Sequence, residues 1–363
     1  MAYTNIDDPS AFFQTALYTG TGSEIVVTND GNSDLQPDFI WIKNRDDFSN
    51  HHAVNTSIGS TRNLFVNKSD YEEGQAQSVK SIQSDGFTLG TWDGDNVNNQ
   101  RFVAWQWKSN GGTTASNTNG SITSTVQVNQ DAGFSIVTWA GTGVYNKTVG
   151  HGLGATPAVV IVKNRASADT SYDDWWVFHH KTSNPINRVL ALNETAAEVG
   201  STVFWSVLPS STIFGIGGST NAPRYTNGAS QDYIAYCFAE KQGYSKFGSY
   251  VGNGNVNGPF VYTGFKPAWF MIKATSASGG DSWQMVDAKR NPFNRHSGVY
   301  NKLGANSTSY ESASTAIGGD FLSNGLKVRA TDSGWNTSGR TYTYMAFAEN
   351  PFTTSTGIPT TAR

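Results

Sequence analysis

Cysteine is all but missing: Cys237 stands alone in 363 residues, which excludes an internal disulfide staple. Charge is thin too, at 15% of residues against roughly 25% in ordinary globular chains. A net charge of −3 leaves no basic field for nucleic acid or anionic lipid. A surface so poor in charge loses little when salt screens it, so a saline setting such as seawater is tolerated. No apolar run approaches the ~18 residues that a membrane-crossing helix needs, so membrane insertion is not expected. The opening residues, MAYTNIDD, show no basic segment followed by an apolar one. A secretory signal is therefore not expected, and synthesis in a cytoplasm is. Helical periodicity is scarce as well; residues 71–74 and 194–198 could each make one turn.

What the chain does have is 13% aromatic residues, 11 of them Trp, and 38 Gly. That mixture suits many strands joined by tight turns. One stretch recurs three times: PDFIWIK at 37–43, PAVVIVK at 157–163 and PAWFMIK at 267–273. An unbroken β-branched and aromatic run of this length predicts a strand buried on both faces. Pro is tolerated at a strand's first residue, and the closing Lys is expected to lay its stem on the sheet with its amine in water.

Other segments recur in step with it. An aromatic strand ending in Gly-x-Gly precedes each copy, at Gly20 and Gly22, Gly141 and Gly143, and Gly252 and Gly254. Such a strand enters a turn that needs positive φ. Closing strands follow at 103–107, 234–240 and 344–349, alternating bulky with small residues. The predicted fold class is all-β, with three tandem homologous β-sandwich, jelly-roll-like units. The boundaries read as an N-terminal arm at 1–12, unit one at 13–108, a Ser/Thr/Asn/Gly-rich linker at 109–132, unit two at 133–243, unit three at 244–352 and a loose tail at 353–363. Units two and three should pack rigidly, with unit one a more divergent neighbour; a pseudo-threefold arrangement and a bent row are both open.

The motifs GHGLG (150–154), YCFAE (236–240), YSKFGSY (244–250) and MAFAE (345–349) resemble a family of repeated β-domains in virion proteins of tailed bacteriophages, especially of marine hosts. The resemblance covers essentially the whole chain. It implies a virion structural protein with other virion proteins as partners, a homotrimer as an allowed assembly, and no catalytic residues. Phage proteins assemble in the host cytoplasm and leave by lysis, which agrees with the missing signal.

Candidate chemistry is sparse. The pairs His51 and His52, and His179 and His180, cannot each chelate one ion from a regular strand, because neighbours point to opposite faces; half-exposed strand-end histidines are expected. Asp93 and Asp95 lie in a loose oxygen-ligand loop for Ca²⁺, without the distal bidentate acid of an EF-hand, and Asx turns explain the run equally well. That ion is the one cofactor candidate. The acid pairs Asp46 and Asp47, and Asp173 and Asp174, read as solvated loop residues and not as glycosidase carboxylates. No Ser-His-Asp set, nucleophile elbow or phosphate-cradling loop is present. Trp92, Trp139, Trp175, Tyr225 and Trp335 lie beside Gly, Asn and Asp, the mixture a shallow sugar site uses, though such rings can equally cap the ends of a sandwich.

The leading expectation is a non-enzymatic virion protein, a tail-fibre or appendage component touching the host's surface polysaccharide through repeated weak sites. A capsid decoration protein is the alternative, and an endoglycosidase spike ranks third for want of a placed acid pair.

Overall fold

The computed structural model describes residues 3–166, 172–218, 224–276, 281–294 and 300–360. The chain is nearly all β, in antiparallel sheets of which none closes on itself. Three larger sheets share one strand order. The first runs Phe13–Thr19, Arg101–Trp107, Phe39–Asn44, His52–Asn55, Gly59–Phe65, Glu73–Gly74. The same order in the second is Phe134–Ala140, Asp232–Phe238, Val159–Asn164, Trp176–His179, Arg188–Ala191, Val199–Gly200. In the third it is Ser245–Val251, Thr341–Pro351, Phe265–Ala274, Gln284–Asp287, Tyr300–Gly304, Ser312–Ser314. A smaller sheet faces each one: Ile25–Thr28 with Gly86–Leu89 and Val79–Gln83, then Lys147–Gly150 with Ile213–Ile216, then Phe260–Tyr262 with Gly325–Val328 and Gly319–Leu322.

The period of two in a strand explains how these layers fill. On the Pro-to-Lys strands, Ile40 and Ile42, Val160 and Val162, and Phe270 and Ile272 turn toward their own small sheet, in three separate cores. Their neighbours Phe39 and Trp41, Val159 and Ile161, and Trp269 and Met271 turn the other way, into one cluster shared by all three large sheets. Trp105 and Trp107, Tyr236 and Phe238, and Met345 and Phe347 complete it. The apolar gap left at its centre is about 20 Å³, too little for more than a single water and lined by no polar side chain except Tyr236.

Several expectations change. Strands begin two residues after Pro37 and Pro157, whereas Pro267 sits inside a ten-residue strand at a register shift, where a missing ladder donor is harmless. The stretch predicted as a linker at 109–132 contains the strands Ala115–Asn117 and Ser124–Asn129, which extend the edge of the second large sheet. Residues 353–360 are not loose: Thr353 bridges Pro359, and Ser355 donates to the Asp7 carboxylate. In sequence, the third copy's counterpart of the runs RNLFVN (62–67) and RVLALN (188–193) is degraded around 295–301; it lies partly outside the described residues, and its described part opens Tyr300–Gly304.

The Gly-x-Gly turns behave alike in all three places. The second glycine has positive φ, at 68° for Gly22, 70° for Gly143 and 69° for Gly254. A Cβ on the first would lie 2.1 Å from the Val97 carbonyl, 2.0 Å from that of Gly228 and 2.3 Å from that of Thr337. Those carbonyls follow the single-turn helices Asp93–Asn96, Arg224–Asn227 and Ser333–Asn336. The last residue of each helix ties the turn down: Asn96, Asn227 and Asn336 accept the N–H of Thr21, Thr142 and Asn253 at 2.8, 3.0 and 2.8 Å.

Candidate functional site

The closing lysines point to where the three sheets meet. Lys43, Lys163 and Lys273 are all fully buried, against the expectation of amines in water. Lys163 Nζ donates to the carbonyl of Asp173 at 2.9 Å and across the junction to that of Ser69 at 3.1 Å. Lys273 Nζ donates to Asp281 and across to Thr195 at 2.7 Å; Lys43 Nζ donates to Asp47 at 3.4 Å and across to Thr308 at 3.2 Å. The second set thus leans on the first, the third on the second and the first on the third, closing a ring. Burial lowers each ammonium to a pKa of about 8.

A second cyclic bond reinforces the first. The N–H of Glu72, Glu198 and Glu311 donates to the carbonyl of Arg165, Thr275 and Arg45, at 3.0, 3.3 and 2.9 Å. Trp175 and Trp283 add indole bonds across two junctions, to the carbonyls of Phe65 and Ala191 at 2.9 and 2.8 Å. His51 takes the corresponding place at the third junction, where its Nδ1 accepts the Trp41 indole N–H at 2.9 Å.

The third junction, where the chain's beginning meets its end, carries the most polar machinery. Arg45 holds Glu311 through two bonds of 3.0 and 2.8 Å, and Arg290 reaches both Glu311 at 3.1 Å and the fully buried Asp287 at 2.6 Å. The two guanidinium groups hold the Glu311 carboxyl below its ordinary range despite burial.

Directly above lies a cleft of about 320 Å³. Phe48 and Tyr310 stand at its mouth, 66% and 48% exposed, with ring centroids 5.2 Å apart and edges meeting faces. The loop carrying Phe48 is shaped by Asn44, whose Oδ1 accepts the N–H of Asp46 and Asp47 at 2.8 and 3.1 Å, an Asx turn. Ser49 then bonds the Thr308 carbonyl at 2.9 Å, which brings Phe48 against Tyr310. Behind the rings are Lys302 and Gln284 with Ser282, Ser307, Ser309 and Ser312. Two larger clefts of about 510 and 680 Å³ share Lys266 and Glu349, but these bond each other at 2.8 Å, and Lys289 pairs with Asp30. Their lysines are already paired with carboxylates, although Glu349 Oε2 is buried without a hydrogen-bond partner.

A family model described as "Domain of unknown function (DUF7483)" matches residues 8–351. The chain belongs to this family. No curated protein and no solved structure matches it.

In this DUF7483 chain, three of the five aromatics proposed for sugar contact are interior. Trp139, Trp175 and Trp335 are 4%, 1% and 0% exposed and belong to hydrophobic cores. Their Gly, Asn and Asp neighbours make the turns, while the rings themselves fill the space between sheets. Tyr225 is half-buried against Phe204 and Trp176, and Trp92 lies on the His52 ring at 4.5 Å. The structure does not bring the five together.

Asp93 and Asp95 do not converge either. Asp93 is exposed, while Asp95 is fully buried, with one oxygen 2.5 Å from His52 Nδ1 and the other accepting from Ser78 Oγ. Thr226 and Trp335 stand at the same helix position and also point inward, so the place is structural. Among the described residues, no group of three or more His, Cys, Asp or Glu could hold a metal.

The histidines and the second acid pair are less exposed than expected, while Asp46 and Asp47 are exposed loop residues as read from the sequence. His51, His52 and His179 are buried, and His179 Nε2 donates to the Tyr344 carbonyl at 3.2 Å. Asp173 is buried and accepts from Asn164 at 2.7 Å, Asp174 accepts from Asn193 at 2.6 Å, and Asp46 is paired with Arg101 at 2.5 Å. Phe48 and Tyr310 escaped sequence reasoning, although each is a lone aromatic in a polar run, DDFSN and TSYES.

Proposed function

We propose that this chain is a non-enzymatic structural protein of a tailed-phage virion, a tail-fibre or appendage component that holds the host surface by its polysaccharide. The virion assignment draws on the motif resemblance. The carbohydrate contact draws on one observation above all: an exposed aromatic pair, Phe48 and Tyr310, at the mouth of a cleft rich in hydroxyl, amide and amine groups. Pyranose rings present C–H faces to aromatic walls and hydroxyls to polar floors, and such mixed surfaces orient ligands through a few polar groups. The closed ring supports this reading, because a site built between two rigid sheets needs no ordering when ligand arrives.

Two measurements on the same material test it. Antibody against the chain, imaged on intact virions, is expected to mark the tail, and purified chain should adsorb to host cells in competition with soluble host polysaccharide. Label on DNA-filled heads would place the chain as a decoration protein. Absence from virions, or adsorption indifferent to polysaccharide, would overturn the proposal.

A further inference from the structure

We propose that the cleft between Phe48 and Tyr310 takes an acidic sugar residue, a hexuronic acid or its close equivalent; this rests on the carbohydrate reading above and narrows it.

The argument begins with charge accounting. Of the cations near the cleft, Arg45 and Arg290 are committed to Glu311 and Asp287. Lys43 is turned inward onto carbonyls. Lys302 alone lines the cleft without a carboxylate within 4.0 Å among the described residues. A half-buried lysine with no protein counter-charge favours an anionic group on whatever enters.

Gln284 carries the second observation. It also lines the cleft, is 7% exposed, and its Oε1 has no hydrogen-bond partner. A buried acceptor left without a donor is unfavourable; the oxygen is closed to solvent as it stands, and a rotation of the amide brings it to a ligand hydroxyl. The same position holds His52 in the first large sheet and Trp176 in the second, so the third sheet's amide is not imposed by the shared strand order.

An acidic sugar satisfies the whole set at once. Its carboxylate meets Lys302, a hydroxyl donates to Gln284 Oε1, and the C–H face of the ring lies against Phe48 and Tyr310. Ser282 and Ser307 remain for the other hydroxyls. At about 320 Å³ the cleft lies at the small end of ligand sites, which run from roughly 300 to 1,000 Å³, and suits one or two sugar rings of a longer chain.

Titration calorimetry with the full chain, using a hexuronic acid tetrasaccharide and its carboxyl-reduced counterpart, tests this directly. The acidic form is expected to bind at least about tenfold more tightly, and added salt should erode that preference. Lys302→Gln should abolish the preference, while Lys302→Arg should retain it, with thermal melts reporting that both variants fold. Equal affinity for the two sugars, or a preference that survives Lys302→Gln, would overturn the inference but not the carbohydrate reading. Binding of neither sugar by the folded chain would overturn the acidic assignment, and loss of polysaccharide competition in cell adsorption is what would overturn the wider reading.

Discussion

Arg45 and Glu311 lie 266 residues apart and are joined three ways: by the Glu311 N–H on the Arg45 carbonyl at 2.9 Å and by two guanidinium–carboxylate bonds of 3.0 and 2.8 Å. This contact closes the ring of sheets beside the cleft, whose lining includes Tyr310 and Ser312 on either side of Glu311. Glu311→Ala strands the buried Arg45 guanidinium and leaves Arg290 with Asp287 alone, and a loss of roughly 3 kcal/mol is expected, since removing one partner of a buried pair leaves the other uncompensated. Glu198, whose nearest cation is a half-exposed Arg188 at 3.9 Å, should cost about 1 kcal/mol or less when truncated. Urea denaturation of the two variants compares them; equal losses would mean that the third junction is no stronger than the second.

The three buried lysines make stability depend on alkaline pH. Each has a folded pKa of about 8 against an ordinary 10.5. Between those values the unfolded chain binds more protons than the folded one, so stability rises as pH climbs from 8 toward 10. Above about 10 the buried tyrosines, whose pKa values are raised by desolvation, oppose the trend. Lys163→Met should flatten the rise by about one proton's worth, roughly 1.4 kcal/mol per pH unit, and lower stability at pH 7 because three carbonyls lose their donor. Chemical denaturation at pH 7, 8, 9 and 10 measures both effects; an unchanged slope would show that Lys163 keeps its ordinary pKa, and so its proton, in the native protein.

Acid should weaken the fold through its histidines. Burial lowers His179 to about 3 and His151 to about 4, from 6.5. The unfolded chain therefore takes up protons first, and stability falls as pH drops below about 6.5. His179→Asn is expected to remove about one proton from this dependence. Melting temperatures across pH 4 to 7 report it, and a variant with the parent's slope would contradict the assignment.

Truncating aromatics should separate interior from display. Trp335→Ala empties a fully buried site and should cost roughly 3–5 kcal/mol. Phe48→Ala removes a ring that is 66% exposed and should stay within about 0.5 kcal/mol of the parent. Thermal melts distinguish them, and similar losses for both would place Phe48 in the packing.

The strands at 37–43 and 157–163 were legible because an apolar run buried on both faces has no other soluble home. The Gly-x-Gly turns were legible for the same kind of reason, since Gly22, Gly143 and Gly254 all need positive φ. Ser124–Asn129 was not: a strand in which two valines alternate with Thr, Gln and Asn looks like linker until neighbours such as Phe134–Ala140 pair with it. Trp139 and Trp335 misled because turn chemistry beside a ring reports backbone shape, and says nothing of which way the side chain points. Lys163 misled for a different reason: its partner at Ser69 lies 94 residues away, and only assembly of the ring puts carbonyls around the amine. The cleft was hidden likewise, because Phe48 and Tyr310 become neighbours only when the first and third sheets close on each other.

The most direct test is adsorption of the purified chain to host cells, with the parent compared to a Phe48→Ala, Tyr310→Ala double variant whose melting curve matches the parent's. Adsorption reduced at least about tenfold in the double variant is the predicted result. Undiminished adsorption by that folded variant would contradict the account.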